Sequence, residues 1–192
     1  MLAAVAAFRF GIRRLTNFTI APPLLVPGAA ALPCAYVLKR VVFEMIKNVS
    51  VGHIPVMINE VVDALKPCDE GVFVDGTFGR GGHSEAILQA AATRVYGIDR
   101  DPAAVTFGGE ISHRYGGRLT ILEGCFGDIE GLMKTAGVSY VDGVTFDLGV
   151  SSLQLDEFHR GFSFRFDGPL DMRMSTKGTS AADLVNGSSE QE

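Results

Sequence analysis

Apolar residues follow two different spacings between residues 54 and 147, and their alternation predicts an α/β fold. Four short apolar runs, each about as long as a β-strand, are typical of strands buried on both faces of a parallel sheet. The segments between them place apolar residues three and four positions apart, which favours helices. The predicted strands are 72–75, 95–99, 119–122 and 141–146, and the predicted helices are 54–66, 83–92, 128–136 and one that starts at Asp101-Pro102.

Strands that alternate with helices in this way indicate a doubly wound parallel sheet. Pro55 suits the first turn of the first helix, and Asp101 and Pro102 are typical of the N-cap and the first position of another. The pattern stops after the fourth strand, because residues 148–178 are rich in Gly, Ser, Asp and Phe and have no clear period. Residues 181–185 favour one more helix, with Thr179 or Ser180 as its cap.

The first 44 residues do not continue this pattern. Residues 15–38 carry no charge and are long enough to span a bilayer, but four prolines interrupt them and argue against a membrane helix. Arginines with almost no acids are typical of an organelle transit peptide; alternatively, Met45 is the true start and residues 1–44 are not native. Under both interpretations we expect residues 1–44 to lie outside the core, to pack poorly and to carry no chemistry.

The composition disfavours several kinds of protein and site. The three cysteines are far apart and form no CxxC pair, so we expect neither a disulfide framework nor a zinc site, and a reducing compartment is favoured. The formal net charge is −5, but residues 45–192 hold 12 of the 17 basic and 21 of the 22 acidic residues, a net charge of −9. Since affinity for nucleic acid comes largely from neutralised phosphates, this balance disfavours a general nucleic-acid binder.

Three acidic residues, Asp75, Asp99 and Asp147, stand at the ends of predicted strands. In open α/β sheets ligands bind beyond the carboxyl ends of the strands, and a carboxylate at the second of these ends can accept both hydroxyls of a ribose. The loop 75–83, which follows the first strand, is rich in glycine, and glycine lets the backbone approach a ligand closely. Together these features predict a site for a nucleoside-containing cofactor.

Two cofactors use this geometry, NAD and S-adenosylmethionine. A dinucleotide needs a helix N-terminus beneath its pyrophosphate, usually within a GxGxxG motif, and the loop lacks that spacing. Asp75 would repel a pyrophosphate but suits a ligand that carries a sulfonium and an ammonium group. The residues therefore favour S-adenosylmethionine and disfavour an NAD-dependent oxidoreductase.

Five ordered motifs resemble one known family. They are DGTFGRGGHS (75–84), GIDRDP (97–102), DGVTFDLGVSSLQLD (142–156), RGFSF (160–164) and DGPLDMRM (167–174). The family is that of the bacterial small-subunit ribosomal RNA cytosine-N4 methyltransferases, known as RsmH or MraW, with mitochondrial relatives. The resemblance covers about residues 50–186, and HIPVM (53–57) is similar to the family's opening.

This resemblance implies a Rossmann-like class I methyltransferase fold, S-adenosylmethionine as the cofactor, and a cytidine of small-subunit ribosomal RNA as the methyl acceptor. It implies that the amino nitrogen N4 of the base attacks the sulfonium methyl group directly and that no metal takes part. It also implies a bacterial cytoplasmic location or, if residues 1–44 are native, the mitochondrial matrix.

The resemblance further implies seven residues that bind the cofactor. They are Gly81, Gly82, His83, Asp99, Phe126, Asp147 and Gln154. The first three lie at a helix start, where free backbone N–H groups suit the carboxylate of the methionine part. Asp99 is expected to bind the ribose, Phe126 to pack on the adenine, and Gln154 to offer both a donor and an acceptor. Asp147 is also the candidate catalytic residue, as the acceptor for an amino hydrogen of cytosine.

Residues 158–174 combine aromatic and basic side chains. Rings for stacking and arginines for phosphate suit an RNA-binding loop. The same residues also suit an apolar plug that closes the cofactor site, and the sequence does not separate these two interpretations. The residues are Phe158, Phe162, Phe164 and Phe166, with Arg160, Arg165 and Arg173.

Members of the family continue further, with a helical insertion and additional strands. We therefore expect residues 45–178 to form an incomplete cofactor domain with the first four strands, and residues 179–192 to begin the helical insertion. The fourth strand is then expected to be an unpaired apolar edge that invites aggregation, and the chain by itself to be inactive or unstable. A non-catalytic cofactor-binding or ribosome-binding module is the alternative function.

Overall fold

The computed structural model describes residues 4–9 and 55–189 of the 192-residue chain. In these ranges the strands are β1 (Ala4–Arg9), β2 (Val72–Asp75), β3 (Arg94–Asp99), β4 (Leu119–Glu123) and β5 (Gly143–Leu148). The α-helices are α1 (Ile58–Leu65), α2 (Gly82–Ala90), α3 (Pro102–Ser112), α4 (Ile129–Thr135), α5 (Ser152–Asp156) and α6 (Ala181–Gly187). Single 3₁₀ turns are formed by His113–Tyr115, Phe126–Asp128 and Phe158–Arg160.

The five strands form one sheet in the order β1-β5-β2-β3-β4. Strands β2 to β5 are parallel to their neighbours among themselves, whereas β1 is antiparallel to β5. The chain moves outward from β2 through β3 to β4 and then returns to the other side of β2 as β5. The strand order therefore reverses between β2 and β5, which is where open α/β sheets bind ligands.

Helices cover both faces of the sheet, which confirms the doubly wound prediction. On one face, Leu65 of α1 and Ile87 of α2 belong to the same buried cluster as Phe73 of β2. On the other face, Met133 of α4 belongs to a cluster with Val74 of β2. Each of these side chains is fully buried, and such burial stabilises the fold by about 1.5–3 kcal/mol per side chain. The two clusters hold β2, the strand before the glycine-rich turn, between packed layers.

Two predicted elements begin at least two residues later than predicted. The first helix begins at Ile58, four residues later than predicted, because Met57 has a left-handed backbone (φ 57°) that α-helix geometry does not accommodate. Pro55 consequently lies before the helix. The last strand was predicted at 141–146 but runs from Gly143 to Leu148. Asp147 therefore lies inside the strand and not just beyond its end.

The segment after β5 is more regular than its composition predicts. Ser151 caps α5, since its hydroxyl accepts from the N–H of Gln154 (3.3 Å) and its own N–H donates to Oε1 of Gln154 (3.1 Å). Serine followed three residues later by glutamine is a capping-box signal that could have predicted this helix. α6 begins after Ser180, as predicted, with a box formed by Ser180 and Asp183.

β1 changes the expected role of the first residues of the chain. It pairs along the outer edge of β5, from Ala4 opposite Leu148 to Arg9 opposite Gly143. Val5 packs against the buried cluster on the α1 face. The expectation that the N-terminal residues lie outside the core is therefore wrong for this strand, and β5 is not the unpaired edge that the sequence suggested.

The remaining predictions for the N-terminal segment, 10–44 with its uncharged stretch 15–38, lie outside the described residues. Among the helices of the described part, none has the length and apolar character needed to cross a membrane. The domain limits 45–178 and 179–192 stay predictions.

Candidate cofactor site

The turn between β2 and α2, residues 76–81, is fixed to both strands that flank β2. The backbone N–H of Gly76 donates to the carbonyl oxygen of Thr145 in β5 (2.9 Å). The N–H of Phe78 donates to the carbonyl oxygen of Ile98 in β3 (3.0 Å). This segment, called the glycine turn below, therefore lies across the point where the strand order reverses.

Glycine is required sterically at two positions of the glycine turn. Gly81 has φ 74°, and a Cβ there would lie 2.7 Å from the ring of Phe78. A Cβ at Gly76 would overlap the ring of Phe146 in β5. Gly81 is the N-cap of α2, and Gly82 opens the helix. The backbone N–H groups of this first helical turn have no intrahelical acceptors and carry the positive end of the helix dipole, so they can hold a carboxylate.

Asp75 ends β2 beneath the glycine turn and is only 1% exposed. Its Oδ2 accepts from the hydroxyl of Ser84 (2.8 Å), and its Oδ1 accepts from the N–H of Thr77 (3.3 Å). Burial raises the pKa of this carboxyl, and the hydrogen bond from Ser84 opposes that rise. The sequence suggested that Asp75 would face a sulfonium ligand; the structure instead shows a buried group that holds the glycine turn to α2.

Asp99 ends β3 and remains partly accessible. Its Oδ2 accepts from the N–H of Gly79 (2.7 Å), and its Oδ1 accepts from the N–H of Asp101 (2.9 Å). Each carboxylate oxygen keeps a further lone pair, so the group can also accept two ribose hydroxyls. Burial is the main cause that raises the pKa of Asp99, and the two backbone N–H groups counteract it.

Phe126 follows β4 and lies against the end of β5. Its ring packs edge to face on Phe146, with 5.4 Å between the ring centroids and an interplanar angle of 60°. The Cβ of Phe126 is 3.3 Å from the position that a Cβ on Gly76 would occupy. The ring is 41% exposed, so one of its sides is free to pack on a flat ligand beside the glycine turn.

Asp147 lies on the opposite side of the glycine turn from Asp99. Its backbone N–H donates to Oγ1 of Thr77 (2.6 Å), which links β5 directly to the turn. The side chain is half-buried, and its carboxylate has no hydrogen-bond partner among residues 4–9 and 55–189. It is therefore the carboxylate at this edge of the sheet that remains available to a substrate.

Two predicted site residues have side chains that bind other parts of the protein. His83 is 5% exposed, and its Nε2 lies 3.0 Å from the carbonyl oxygen of Val56. Gln154 is 3% exposed and donates from Nε2 to Oδ2 of Asp101 (2.9 Å), while its Oε1 accepts from Ser151. The structure thus brings Asp99, Phe126 and Asp147 together at the glycine turn, whereas the side chains of His83 and Gln154 are engaged with Val56 and Asp101.

Sequence reasoning missed a buried ionic group next to Asp99. Oδ2 of Asp101 binds Nη1 of Arg160 (2.9 Å) in addition to Gln154, and Oδ1 caps α3 by accepting from Ala103. The side chains of Arg160 and Asp101 are only 11% and 2% exposed. Asp101 was expected to be an N-cap, which is confirmed, but no local signal connects it to Arg160.

The three predicted arginines of residues 158–174 differ in their burial and in their partners. Arg160 is buried in this ionic group, and Arg173 forms hydrogen bonds to both carboxylate oxygens of Asp171. The same hydrogen bonds hold the pKa of Asp171 at about 2. Arg165 is exposed, and its guanidinium has no partner within the part of the chain that the structure describes. In that same part, no group of three or more His, Cys, Asp or Glu side chains is placed to hold a metal ion.

Two relatives with similar sequences are both called ribosomal RNA small subunit methyltransferase H. The protein of Rhodospirillum centenum is 58% identical over 140 residues, which is 73% of this chain and 43% of the relative. The protein of Paramagnetospirillum magneticum is 56% identical over 140 residues, 73% of this chain and 44% of the relative. The chain thus spans less than half the length of these curated relatives.

Two solved structures show a weaker likeness. A geranyl diphosphate methyltransferase in complex with S-adenosylmethionine is 24% identical, with a TM-score of 0.33 over 36% of this chain and 29% of that chain. A methyltransferase from Geobacter sulfurreducens is 19% identical, with a TM-score of 0.33 over 54% of this chain and 53% of that chain. These likenesses are too weak to support an argument.

The family assignment rests on a longer match that includes all the elements of the site. The model of the MraW methylase family matches residues 50–192, which include the glycine turn, the ends of β3 and β5, and the segment that carries Arg160. The resemblance found in the five sequence motifs is thereby confirmed, and the chain belongs to the MraW methylase family.

Proposed function

We propose that this chain carries the cofactor-binding part of an enzyme that uses S-adenosylmethionine to methylate N4 of a cytidine in small-subunit ribosomal RNA. The observation that carries the proposal is the contact of one glycine turn with Asp99, Phe126 and Asp147 at the reversal of strand order. The names of the relatives support the small-subunit RNA as the acceptor. The choice of N4 of cytosine rests on the motif resemblance.

The residues at the glycine turn fit this cofactor. The N–H groups at the start of α2, at Gly82 and His83, hold the carboxylate of the methionine part. Asp99 accepts the ribose hydroxyls, and the exposed side of Phe126 packs on the adenine. S-adenosylmethionine supplies, when bound, a methyl group made electrophilic by its sulfonium. Gln154 stays a predicted contact to the cofactor. In the structure its amide is engaged with Asp101 and Ser151.

Asp147 is the residue we assign to the methyl acceptor. The amino nitrogen of cytosine is a weak nucleophile, because its lone pair is delocalised into the ring. A carboxylate that accepts a hydrogen bond from this amino group orients it and receives its proton as the nitrogen–methyl bond forms and the methyl–sulfur bond breaks, with S-adenosylhomocysteine as the leaving group. Asp147 suits that role because its carboxylate is half-buried at the edge of the site and has no other partner among the described residues.

The place of action belongs to the same proposal. The relatives come from bacteria, which supports the bacterial cytoplasm, where small ribosomal subunits are found. The mitochondrial alternative has no support in these relatives.

Transfer of a labelled methyl group to small ribosomal subunits that lack the modification, by this chain beside a full-length relative, tests the proposal. After digestion to nucleosides, we expect the label in N4-methylcytidine. Asp147→Asn should lower transfer by about 100-fold or more while S-adenosylmethionine affinity, measured by calorimetry, stays within about twofold. The control is Asp63→Asn, which removes an exposed carboxylate on α1 that the proposal gives no role, and it should leave transfer unchanged.

Three results would contradict parts of the proposal in distinguishable ways. Label in another nucleoside would overturn the assignment to N4 of cytosine. Failure of the chain to bind S-adenosylmethionine would overturn the methyltransferase itself. Cofactor binding without any transfer by this chain, where the full-length relative transfers the label, would agree with the expectation that the chain by itself is inactive and would favour the alternative, a non-catalytic cofactor-binding or ribosome-binding module.

A further inference from the structure

Residues 162–167 form the end of a loop whose two arms are held together. The N–H of Met172 donates to the carbonyl oxygen of Arg160 (3.0 Å) across the arms. A Cβ at Gly161 would overlap the carbonyl oxygen of Pro169, so the arms approach each other as closely as their backbones permit. We call residues 162–167 the aromatic tip. Its conformation is set by this narrow base.

The base of the loop is anchored beside the cofactor site. Arg160, on one arm, binds the buried carboxylate of Asp101 (2.9 Å), and its Nη2 donates to the carbonyl oxygen of Arg173 beyond the other arm (3.0 Å). The N–H of Asp101 in turn donates to the carboxylate of Asp99 (2.9 Å). One chain of contacts therefore connects the proposed ribose-binding carboxylate to the base of the aromatic tip.

Two of the three rings of the aromatic tip point into solvent. Phe164 is completely exposed, and Phe166 is 52% exposed. Arg165 lies between them in a turn that is held by a hydrogen bond from its N–H to Oγ of Ser163 (3.2 Å). Leaving a phenylalanine ring in water forgoes about 1.5–3 kcal/mol of burial energy, so an anchored loop that presents two such rings needs an explanation other than stability.

This geometry disfavours the apolar-plug interpretation for Phe164 and Phe166, whereas Phe162 is half-buried, with the guanidinium of Arg160 5.9 Å from its ring centroid. Rings that closed the cofactor site would be buried against it, whereas Phe164 and Phe166 are exposed. It also leaves Arg165 as the arginine of the segment that is free to meet a phosphate, because Arg160 and Arg173 are engaged with carboxylates.

We propose that Phe164 and Phe166 stack on unpaired bases of the RNA substrate, next to the nucleotide that enters the active site, and that Arg165 contacts a phosphate between them. This proposal rests on the proposed function. Proteins bind single-stranded nucleic acid by stacking its bases on exposed aromatic rings and by placing basic side chains next to its phosphates. Stacking also suits an acidic segment: residues 45–192 carry a net charge of −9, so their general attraction to phosphates is weak.

The chain contains no tryptophan, which allows a direct test. In Phe164→Trp the substituted position becomes the single indole reporter, and a base that stacks on it quenches its fluorescence. The probe is a single-stranded, cytidine-containing RNA decanucleotide, compared with a duplex of the same sequence. We expect saturable quenching by the single strand and little by the duplex. The matched control is Leu184→Trp on α6, whose native side chain is 60% exposed, and there we expect no saturable quenching.

A second measurement uses loss of the rings. Phe164→Ala with Phe166→Ala should weaken binding of the same decanucleotide by about tenfold or more, as expected for stacking contacts. Leu184→Ala with Val185→Ala removes two exposed apolar side chains elsewhere and should leave affinity unchanged. Since all four side chains are exposed, both double variants should keep the melting temperature and the S-adenosylmethionine affinity of the parent chain.

The results separate this proposal from the proposed function. Normal cofactor binding with no quenching in Phe164→Trp, or with equal losses in the two double variants, overturns the stacking role alone. The double variant Phe164→Ala with Phe166→Ala could also lose transfer to whole small subunits while it keeps its affinity for the decanucleotide. That result overturns the stacking role as well and assigns the aromatic tip to a contact with a ribosomal protein. A parent chain that does not bind S-adenosylmethionine overturns the proposed function instead.

Discussion

Asp75 and Asp99 end neighbouring strands, yet their surroundings assign them different roles. Asp75 is 1% exposed, and both of its oxygens are bound by Ser84 and Thr77 within the protein. Asp99 accepts two backbone N–H groups and keeps an accessible side. The first carboxylate therefore stabilises the glycine turn, and the second is the one that suits a ligand.

Affinity for S-adenosylmethionine is expected to fall when the pH is lowered through a value above the usual range of an aspartate. Burial raises the pKa of Asp99, so its carboxylate takes up a proton at a pH where an exposed aspartate stays charged. A protonated carboxyl accepts hydrogen bonds from two ribose hydroxyls less well than a carboxylate does. Affinity should thus be constant above the raised pKa and decrease below it.

Calorimetry at a series of pH values checks this expectation. Asp99→Asn has no carboxyl to titrate at that position, so its weaker affinity should not change over the same range. A pH dependence that persists unchanged in Asp99→Asn would assign the titration to another group.

Gly81 and Gly137 allow the cost of backbone strain to be compared with the cost of steric overlap. Gly81 and Gly137 have the same φ of 74°, but a Cβ at Gly81 would meet the ring of Phe78 at 2.7 Å, whereas a Cβ at Gly137 would have nothing within 4 Å. Gly137→Ala should cost about 1–2 kcal/mol of unfolding free energy from the backbone alone. Gly81→Ala should cost about 1–3 kcal/mol more, because Phe78 must move. Urea unfolding measures both, and equal losses would show that Phe78 does not limit the residue at 81.

At the scale of elements, β1 pairs with the edge of the sheet next to Asp147. Its pairing covers the outer side of β5, which would otherwise present a row of free N–H and C=O groups to other chains. Val5 stands directly opposite Asp147 and packs on the α1 face of the core. An N-terminal strand thus contributes an apolar neighbour to the candidate catalytic carboxylate.

Val5→Asp tests this pairing. It places a second carboxylate opposite Asp147 and a charge against the apolar cluster, so we expect a loss of at least about 2 kcal/mol in unfolding free energy. Arg9→Asp introduces the same side chain at an exposed position of the same strand and should cost less than about 1 kcal/mol. Thermal or urea unfolding of the two variants gives the comparison. Similar stabilities would show that β1 does not pair with β5 in solution.

At the scale of the whole molecule, the charge balance limits how RNA can be bound. The chain holds 17 basic and 22 acidic residues, a net charge of −5, so few phosphates can be neutralised. We expect a plot of log affinity for the single-stranded decanucleotide against log salt concentration to have a slope of about −1 or shallower, since each phosphate contact of a single strand contributes about −0.7. Titrations at several salt concentrations measure this slope; a slope of about −3 or steeper would show that phosphate contacts dominate.

Much of the fold follows from local sequence, as three elements illustrate. The apolar run before Asp75 predicted β2, Asp101-Pro102 predicted the start of α3, and the residues before 181 predicted the cap of α6. Each of these signals acts over a few neighbouring residues. The first helix was placed too early because nothing in its apolar spacing reveals the left-handed backbone of Met57.

The sequence by itself determined the alternation of strands and helices, the glycine-rich loop after the first predicted strand, and the set of carboxylates at strand ends. Only the tertiary structure decided which of these carboxylates is buried, that Gln154 binds Asp101 from 53 residues away, and that β1 covers β5. The physical reason is distance along the chain: spacing and capping act within a helical turn, whereas burial and ionic partners depend on segments that meet only after the sheet has formed.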